Sequence, residues 1–194
     1  MTITTSRLRL AALTVASARD QIDAQSRFFK RLGVRKRIDW PPPLYDDVAM
    51  SWMLDRLESG EDPAWHSRIV VVKAGVFTSS RAVGVAGFKG PPDASGEVEI
   101  GYSIVASEQR RGYCSEAVAA LLKFAFDDPR VVLVSAHTLC DESTAASRRV
   151  LERANFFGPF STSEEGVVRY ERPKEAFANH FDEPIRRISA ANAG

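Results

Sequence analysis

The residue types best suited to chemistry fall in one stretch: Glu97, Glu99 and Gly101, then Gln109-Arg110-Arg111-Gly112-Tyr113-Cys114-Ser115 opening an apolar run. A helix leaves its first four backbone N–H groups unpaired and carries about half a positive charge at its N-terminus, so an anion placed there meets aligned donors. Arg110 and Arg111 set two fixed cations beside those donors, and Gly112 permits a positive φ or the close approach of a ligand. Cys114 and Ser115 are small enough to keep the helix mouth open. Such a turn is suited to gripping a pyrophosphate.

The strand before the turn carries the acid–base candidates. By the period of two, Glu97, Glu99, Gly101 and Ser103 share one face, and Val98, Ile100, Tyr102 and Ile104 share the other. Two carboxylates on one face are either simply solvated or include a general base, and Gly101 points to the second reading, because Gly inside a strand marks a bulge or a close approach. His137, late in its own strand, is a second candidate base, whereas His66 and His180 read as surface residues. Ser147 shares a helical stripe with Val150, Leu151 and Ala154 and so faces inward. Its hydroxyl either bonds the carbonyl four residues back or donates a proton. Cys114 has no matching His and acid around it, which argues against a nucleophile.

These residues need a scaffold, and the pattern supplies one. Residues 7–10 alternate as a half-buried strand, Thr14 is an N-cap, and one helix carrying Ile22, Phe29 and Leu32 runs to Gly33. Trp40-Pro41-Pro42-Pro43-Leu44-Tyr45 is a stiff, extended, exposed loop before a second helix with Val48, Trp52, Met53 and Leu57. Strands follow at 68–73, 81–88 and 97–105. A third helix comes next, apolar almost all round at Ala117, Val118, Leu121, Leu122, Phe124, Ala125 and Phe126, and therefore packed on a sheet. A β-branched strand at 131–138, a helix at 144–154 and a last hairpin, whose second strand at 166–172 follows the turn Glu164-Glu165-Gly166, complete the order β-α-α-β-β-β-α-β-α-β-β. Asn155, just past the fourth helix, suits a left-handed cap.

On these residues the chain resembles the GNAT acetyltransferase superfamily. Gln109, Gly112 and Cys114 fill the places of its signature, which is Gln or Arg, two residues, Gly, one residue, then Gly or Ala, between a strand and a helix. Glu99-Ile100-Gly101-Tyr102 with Gly112-Tyr113-Cys114-Ser115-Glu116-Ala117 is similar to the branch that acetylates ribosomal-protein N-termini. The resemblance covers about residues 5–172. It implies an α/β (α+β) GNAT acyltransferase fold, with a mixed central sheet of about seven strands and helices on both faces, in a domain at 1–173 followed by a tail at 174–194. It also implies a cosubstrate, acetyl-CoA, whose acetyl group passes directly to an amine with no covalent enzyme intermediate and no metal.

The resemblance assigns residues as well. Ile104, Gln109, Arg110, Arg111, Gly112, Tyr113, Cys114, Ser115 and Thr144 would hold the cofactor, Glu99 would act as base through water at a point where the family splays its strand, and Ser147 would protonate the departing thiolate. Trp40 and Tyr45 would rim the acceptor pocket. Two positions depart from the branch: Arg110 stands where a Gly is usual, at a cost of about 1–2 kcal/mol if it adopts the left-handed conformation, and Thr144 replaces an Asn, with a capping role open to it. The implied acceptor is a peptide or protein α-amine. A small-molecule amine, or an acyl-CoA-binding protein without turnover, are the rival readings, and a homodimer is compatible with the resemblance.

Bulk properties narrow the classes further. A chain of 194 residues with 44% hydrophobic and 26% charged residues suits one globular domain. Lys+Arg 26 against Asp+Glu 25 leaves a formal charge of +1, which argues against a nucleic-acid partner. Cys114 and Cys140 form no Cys-x-x-Cys pattern, so neither zinc nor a disulfide framework is indicated and a reducing cytoplasm is expected. No segment is long enough to span a membrane, and the apolar stretch at 10–13 is broken by Thr14.

Overall fold

The computed structural model describes residues 2–76, 78–140 and 144–176. Eight strands, β1 (Thr2–Thr4), β2 (Leu8–Ala12), β3 (Ser67–Val72), β4 (Arg81–Phe88), β5 (Glu97–Ile104), β6 (Leu133–Leu139), β7 (Phe157–Ser161) and β8 (Val167–Pro173), form one sheet in the order β1-β2-β3-β4-β5-β6-β8-β7. The helices are α1 (Val15–Asp23), α2 (Gln25–Leu32), α3 (Asp47–Glu58), α4 (Tyr113–Asp127) and α5 (Ala145–Arg153).

Alternating side chains give the sheet a core on each face. Leu8, Leu10, Val70, Val72, Val98 and Ile100 pack against the apolar stripe of α4, with Leu151 of α5 and Tyr170 of β8. Ile69, Val71, Ala82 and Val85 look the other way, onto Phe28 and Phe29 of α2 and Met50, Met53 and Leu57 of α3. Gly84 is required where β4 meets β5, because a Cβ there would lie 2.2 Å from the Ser103 carbonyl oxygen.

Every neighbouring pair of strands is antiparallel except β5 with β6. Parallel neighbours require a crossover, and α4 provides it. Their pairing is short: Glu97, Val98 and Glu99 face Leu133, Val134 and Ser135. Beyond that, Ile100 to Ile104 stay bonded to β4 while Ala136 to Leu139 stay bonded to β8. The sheet therefore opens between β5 and β6, with Gly101 and Tyr102 on one lip and His137 and Thr138 on the other.

Several expectations are corrected. The single helix from Thr14 is two, broken at Ala24 (φ −153°, ψ 68°), and the break is stitched by Asp20, whose buried carboxylate accepts from Arg27 Nε at 3.0 Å and Arg31 Nη2 at 2.8 Å. Thr14 does cap α1, in a reciprocal arrangement with Ser17. β1 is a strand beyond those read from the pattern. His66 is 1% exposed rather than on the surface, with Nε2 3.0 Å from Glu61 Oε2. His180 lies outside the described residues.

Trp40 and Tyr45 are corrected too. They are 6% and 5% exposed, and Trp40 packs on Phe28 and Phe29 at ring distances of 5.8 and 5.6 Å, so both belong to the second core and not to a pocket rim. The exposed apolar groups of that loop are Ile38 and Leu44. Trp40→Ala is accordingly expected to cost about 3–5 kcal/mol in chemical denaturation, the range for emptying a buried aromatic site. Steady-state constants for both substrates should then deteriorate together.

Candidate functional site

The turn that follows β5 is built around a buried carboxylate. Glu108, 6% exposed, accepts from Arg81 Nε at 2.7 Å and Arg37 Nη1 at 3.1 Å, with Arg111 Nε at 3.5 Å. Burial alone would raise its pKa, but the hydrogen bonds from Arg81 and Arg37 outweigh that and hold it below the ordinary carboxylate range. Arg37 and Asp39 also bond Ser107, which ties the loop after α2 to this turn. Gln109 folds back so that its Nε2 donates to the Ile104 carbonyl at 2.9 Å, closing the end of β5.

The turn itself alternates. Arg110 (φ 59°) and Gly112 (φ 76°) are both left-handed, with Arg111 between them. Arg110 therefore takes a conformation that favours Gly, and its strain of about 1–3 kcal/mol must be offset by the packing of the loop. α4 starts at Tyr113 with no side-chain cap, and among the described residues the N–H groups of Gly112, Tyr113, Cys114 and Ser115 donate to no acceptor. Arg110 and Arg111 are exposed beside them.

Two side chains of the turn pack into the first core. The Tyr113 ring is buried and its hydroxyl accepts from Arg81 Nη2 at 3.2 Å. Cys114 is partly buried, and burial pushes its thiol up to about 12, away from the thiolate form a nucleophile needs.

The opening between β5 and β6 gathers the remaining candidates. On one side, Glu99 Oε1 lies 3.1 Å from His137 Nδ1, with the Lys89 ammonium also beside it. A Cβ on Gly101 would meet nothing nearer than Lys89 Cε at 3.9 Å. Gly101 is in regular register with Gly87, without a bulge, and the Lys89 side chain lies at van der Waals distance over it. Glu97 differs from Glu99: it accepts from Ser135 Oγ at 2.6 Å and Arg169 Nη2 at 2.8 Å, and the Arg169 bond chiefly lowers its pKa. Glu97 is a structural tie between β5, β6 and β8.

On the other side, Ser147 of α5 meets Tyr102. The phenol lies 3.1 Å from both the Ser147 carbonyl oxygen and Ser147 Oγ, and burial raises its pKa, which keeps it a neutral hydrogen-bonding group. Tyr102 escaped the sequence reading because its position among Val98, Ile100 and Ile104 makes it look like core; only the partner across the gap reveals it. Thr144 occupies the N-cap position of α5 without capping it, because its hydroxyl donates to Leu139 O at 2.5 Å. Asn155 takes the left-handed cap conformation (φ 57°) after α5.

Among the described residues, no helix is long and apolar enough to cross a membrane and no three His, Cys, Asp or Glu side chains converge as a metal site. A sheet opened beside a helix with free N–H donors fits a long cosubstrate with a thioester at one end and a diphosphate inside it, and comparison with known proteins agrees. Residues 7–156 match the family model described as an acetyltransferase (GNAT) domain. An uncharacterized N-acetyltransferase of Bacillus subtilis, YjdG, is 27% identical over 152 residues, covering 78% of this chain and 87% of that protein. Among solved structures, a putative GNAT-family acetyltransferase from Bordetella pertussis superposes with a TM-score of 0.60 at 18% identity, covering 89% and 99% of the two chains. RimL, a ribosomal L7/L12 alpha-N-protein acetyltransferase solved in complex with coenzyme A, gives a TM-score of 0.58 at 18% identity, covering 91% and 99%. The turn, the opened sheet and the family match converge on one conclusion: this chain belongs to the GNAT acetyltransferase family, whose members are acyltransferases that use acetyl-CoA as cosubstrate.

Proposed function

We propose that the protein transfers the acetyl group of acetyl-CoA to a primary α-amine, that of a protein or peptide N-terminus. The observation that carries this reading is the separation of β5 from β6 just past Glu99, with Glu99 and His137 meeting across it on one face of the sheet and Ser147 against Tyr102 on the other. Bound there, acetyl-CoA supplies an activated acyl carbon and a thiolate leaving group.

The chain's own residues then divide the work. The N–H groups of Gly112 to Ser115, with Arg110 and Arg111, hold the diphosphate at the start of α4. Gln109 keeps the end of β5 closed, and Thr144 holds the start of α5 against β6. Glu99, oriented by His137 and Lys89, takes the proton of the incoming ammonium through water. An N–H on the opened edge of β5 stabilises the charge that develops on the acyl oxygen. Ser147 gives its proton to the departing sulfur and regains one, through water, from the newly acylated nitrogen, and Tyr102 holds the Ser147 hydroxyl in place.

Protonation supports an α-amine. With a pKa near 8 it is roughly 10% neutral at pH 7, against well under about 0.1% for a lysine-like amine near 10.4, so a single carboxylate acting through water suffices for the first. The Glu-Ile-Gly-Tyr and Gly-Tyr-Cys-Ser-Glu-Ala strings and the fold shared with RimL favour the same acceptor class. Thiol release from acetyl-CoA over a panel of N-terminal peptides and small amines tests it; turnover confined to small amines would reassign the acceptor.

Coenzyme A is expected to raise the melting temperature by mass action, and Gly112→Trp to abolish the shift. No shift for the wild type at millimolar coenzyme A would overturn the cofactor assignment. Ser147→Ala should lower kcat by roughly 10- to 1000-fold at unchanged coenzyme affinity, and an unchanged rate would leave Ser147 a structural partner of Tyr102. Glu99→Gln should slow turnover most near neutral pH and recover in part at alkaline pH, where more acceptor is already neutral. Glu97→Gln should cost stability and leave the pH profile alone.

A further inference from the structure

The segment before β2 carries no signature of the family motif, yet five hydrogen bonds join it to Arg111 and Glu116 at the cofactor turn. Glu116, in the first turn of α4, accepts from Thr5 Oγ1 at 2.5 Å, Ser6 Oγ at 3.1 Å and Arg7 N at 2.9 Å through one oxygen, and from Arg7 Nε at 2.6 Å through the other. Arg7 then reaches over the turn. Its Nη1 donates to the Arg111 carbonyl at 3.0 Å, and its guanidinium lies 5.0 Å from the Tyr113 ring centroid. Residues 5–7 are themselves fixed from β3, since Lys73 Nζ donates to Thr5 O at 2.6 Å and Lys73 N to Arg7 O at 2.9 Å.

The bond to the Arg111 carbonyl matters because a trans peptide is planar, with its C=O and the following N–H pointing in opposite directions. With the Arg111 oxygen held toward Arg7, the Gly112 N–H points away from Arg7, along with the other free donors at the start of α4. Gly112 gives this peptide the freedom to turn over, because glycine takes either sign of φ at little cost. Turned over, the peptide would aim a carbonyl oxygen where a phosphate oxygen belongs. The guanidinium also sits close to the glycine: a Cβ on Gly112 would stand 3.4 Å from Arg7 Nη2.

Glu116 has its own part. A carboxylate in the first turn of a helix would repel an incoming diphosphate, but four hydrogen bonds turn it away from the helix mouth and the charge of Arg7 balances it. Burial alone would raise its pKa, and the bonds from Thr5, Arg7 and Ser6 bring it down to about 2, so the pairing persists across the working pH range.

We propose that Arg7 and Glu116 are positioning residues for the diphosphate: Glu116 anchors Arg7, and Arg7 fixes the Arg111–Gly112 peptide with its N–H toward the phosphate. This rests on the turn at 110–115 being the coenzyme site. It makes the N-terminal segment part of that site, although residues 5–7 and 111–116 are more than a hundred positions apart.

The experiment compares two acyl donors on the full chain, acetyl-CoA and acetyl-pantetheine, the second lacking the diphosphate. Arg7→Ala should raise the Kd for coenzyme A by calorimetry, and the KM for acetyl-CoA, by about 10- to 100-fold, the range for losing a charge-assisted hydrogen bond. The kcat with acetyl-CoA, and kcat/KM for acetyl-pantetheine, should stay within about twofold of wild type on the same scale. Glu116→Gln, which keeps the shape and removes the charge, should move coenzyme A affinity in the same direction by less. Arg7→Gln carries the comparison if Arg7→Ala fails to fold. Equal losses with both donors, or an unchanged coenzyme A affinity, would overturn the proposal. A wild-type protein that binds no coenzyme A would instead overturn the site on which it rests.

Discussion

The interruption of one strand pair is the constraint on which the rest of the molecule depends. β5 and β6 are the parallel neighbours in an otherwise antiparallel sheet, and they stay paired for three residues before each follows its other neighbour. A parallel pair needs a crossover, so α4 must leave the end of β5 and return beneath the sheet. Its N-terminus, with free N–H groups, thereby lies at the end of the opening. The gap and the anion-binding helix start are two consequences of the same topology, which is why a cosubstrate with a thioester at one end and a diphosphate inside it suits this fold.

Carboxylates that perform no chemistry hold the site in shape. Glu108 gathers Arg81, Arg37 and Arg111 beneath the turn, Glu97 joins three strands through Ser135 and Arg169, and Glu116 hooks the N-terminal segment onto α4. Each is partly or wholly withdrawn from water, and each has a pKa held low by donors that burial alone would not supply. Such groups are costly without partners and firm with them. Glu99 is different in kind. Its neighbours are a histidine and a lysine side chain that also covers Gly101, and among the described residues no arginine pins it to a neighbouring strand.

The misplacement of Trp40 and Tyr45 has a simple origin. Three consecutive prolines read as a stiff, extended segment with aromatic ends, and so as an exposed binding rim, whereas the chain turns over residues 42–45, with Tyr45 N donating to Pro42 O at 3.2 Å. Stiffness says nothing about which way a side chain turns. Phe28 and Phe29 on α2 leave a space that Trp40 fills, and the loop shows Ile38 and Leu44 to solvent instead. The break at Ala24 has a related cause: the apolar spacing of residues 15–32 fits one helix, and only the placement of Asp20 against Arg27 and Arg31 shows two.

Local chemistry was legible in the sequence. Alternation along residues 97–104 set which side chains face α4, Gln109 to Ser115 announced a turn opening a helix, and Asn155 announced a left-handed cap, because each of these depends on neighbours within a few residues. Pairing across the chain was not legible. That Ser147 meets Tyr102, that Glu99 meets His137 while Glu97 is spent on Arg169, and that Arg7 reaches the Arg111 carbonyl are contacts between residues 38 to 104 positions apart. Hydrogen bonds and ion pairs depend on distance in space, and a residue's own type and spacing specify only what it is able to bond. The sheet decides which partner arrives.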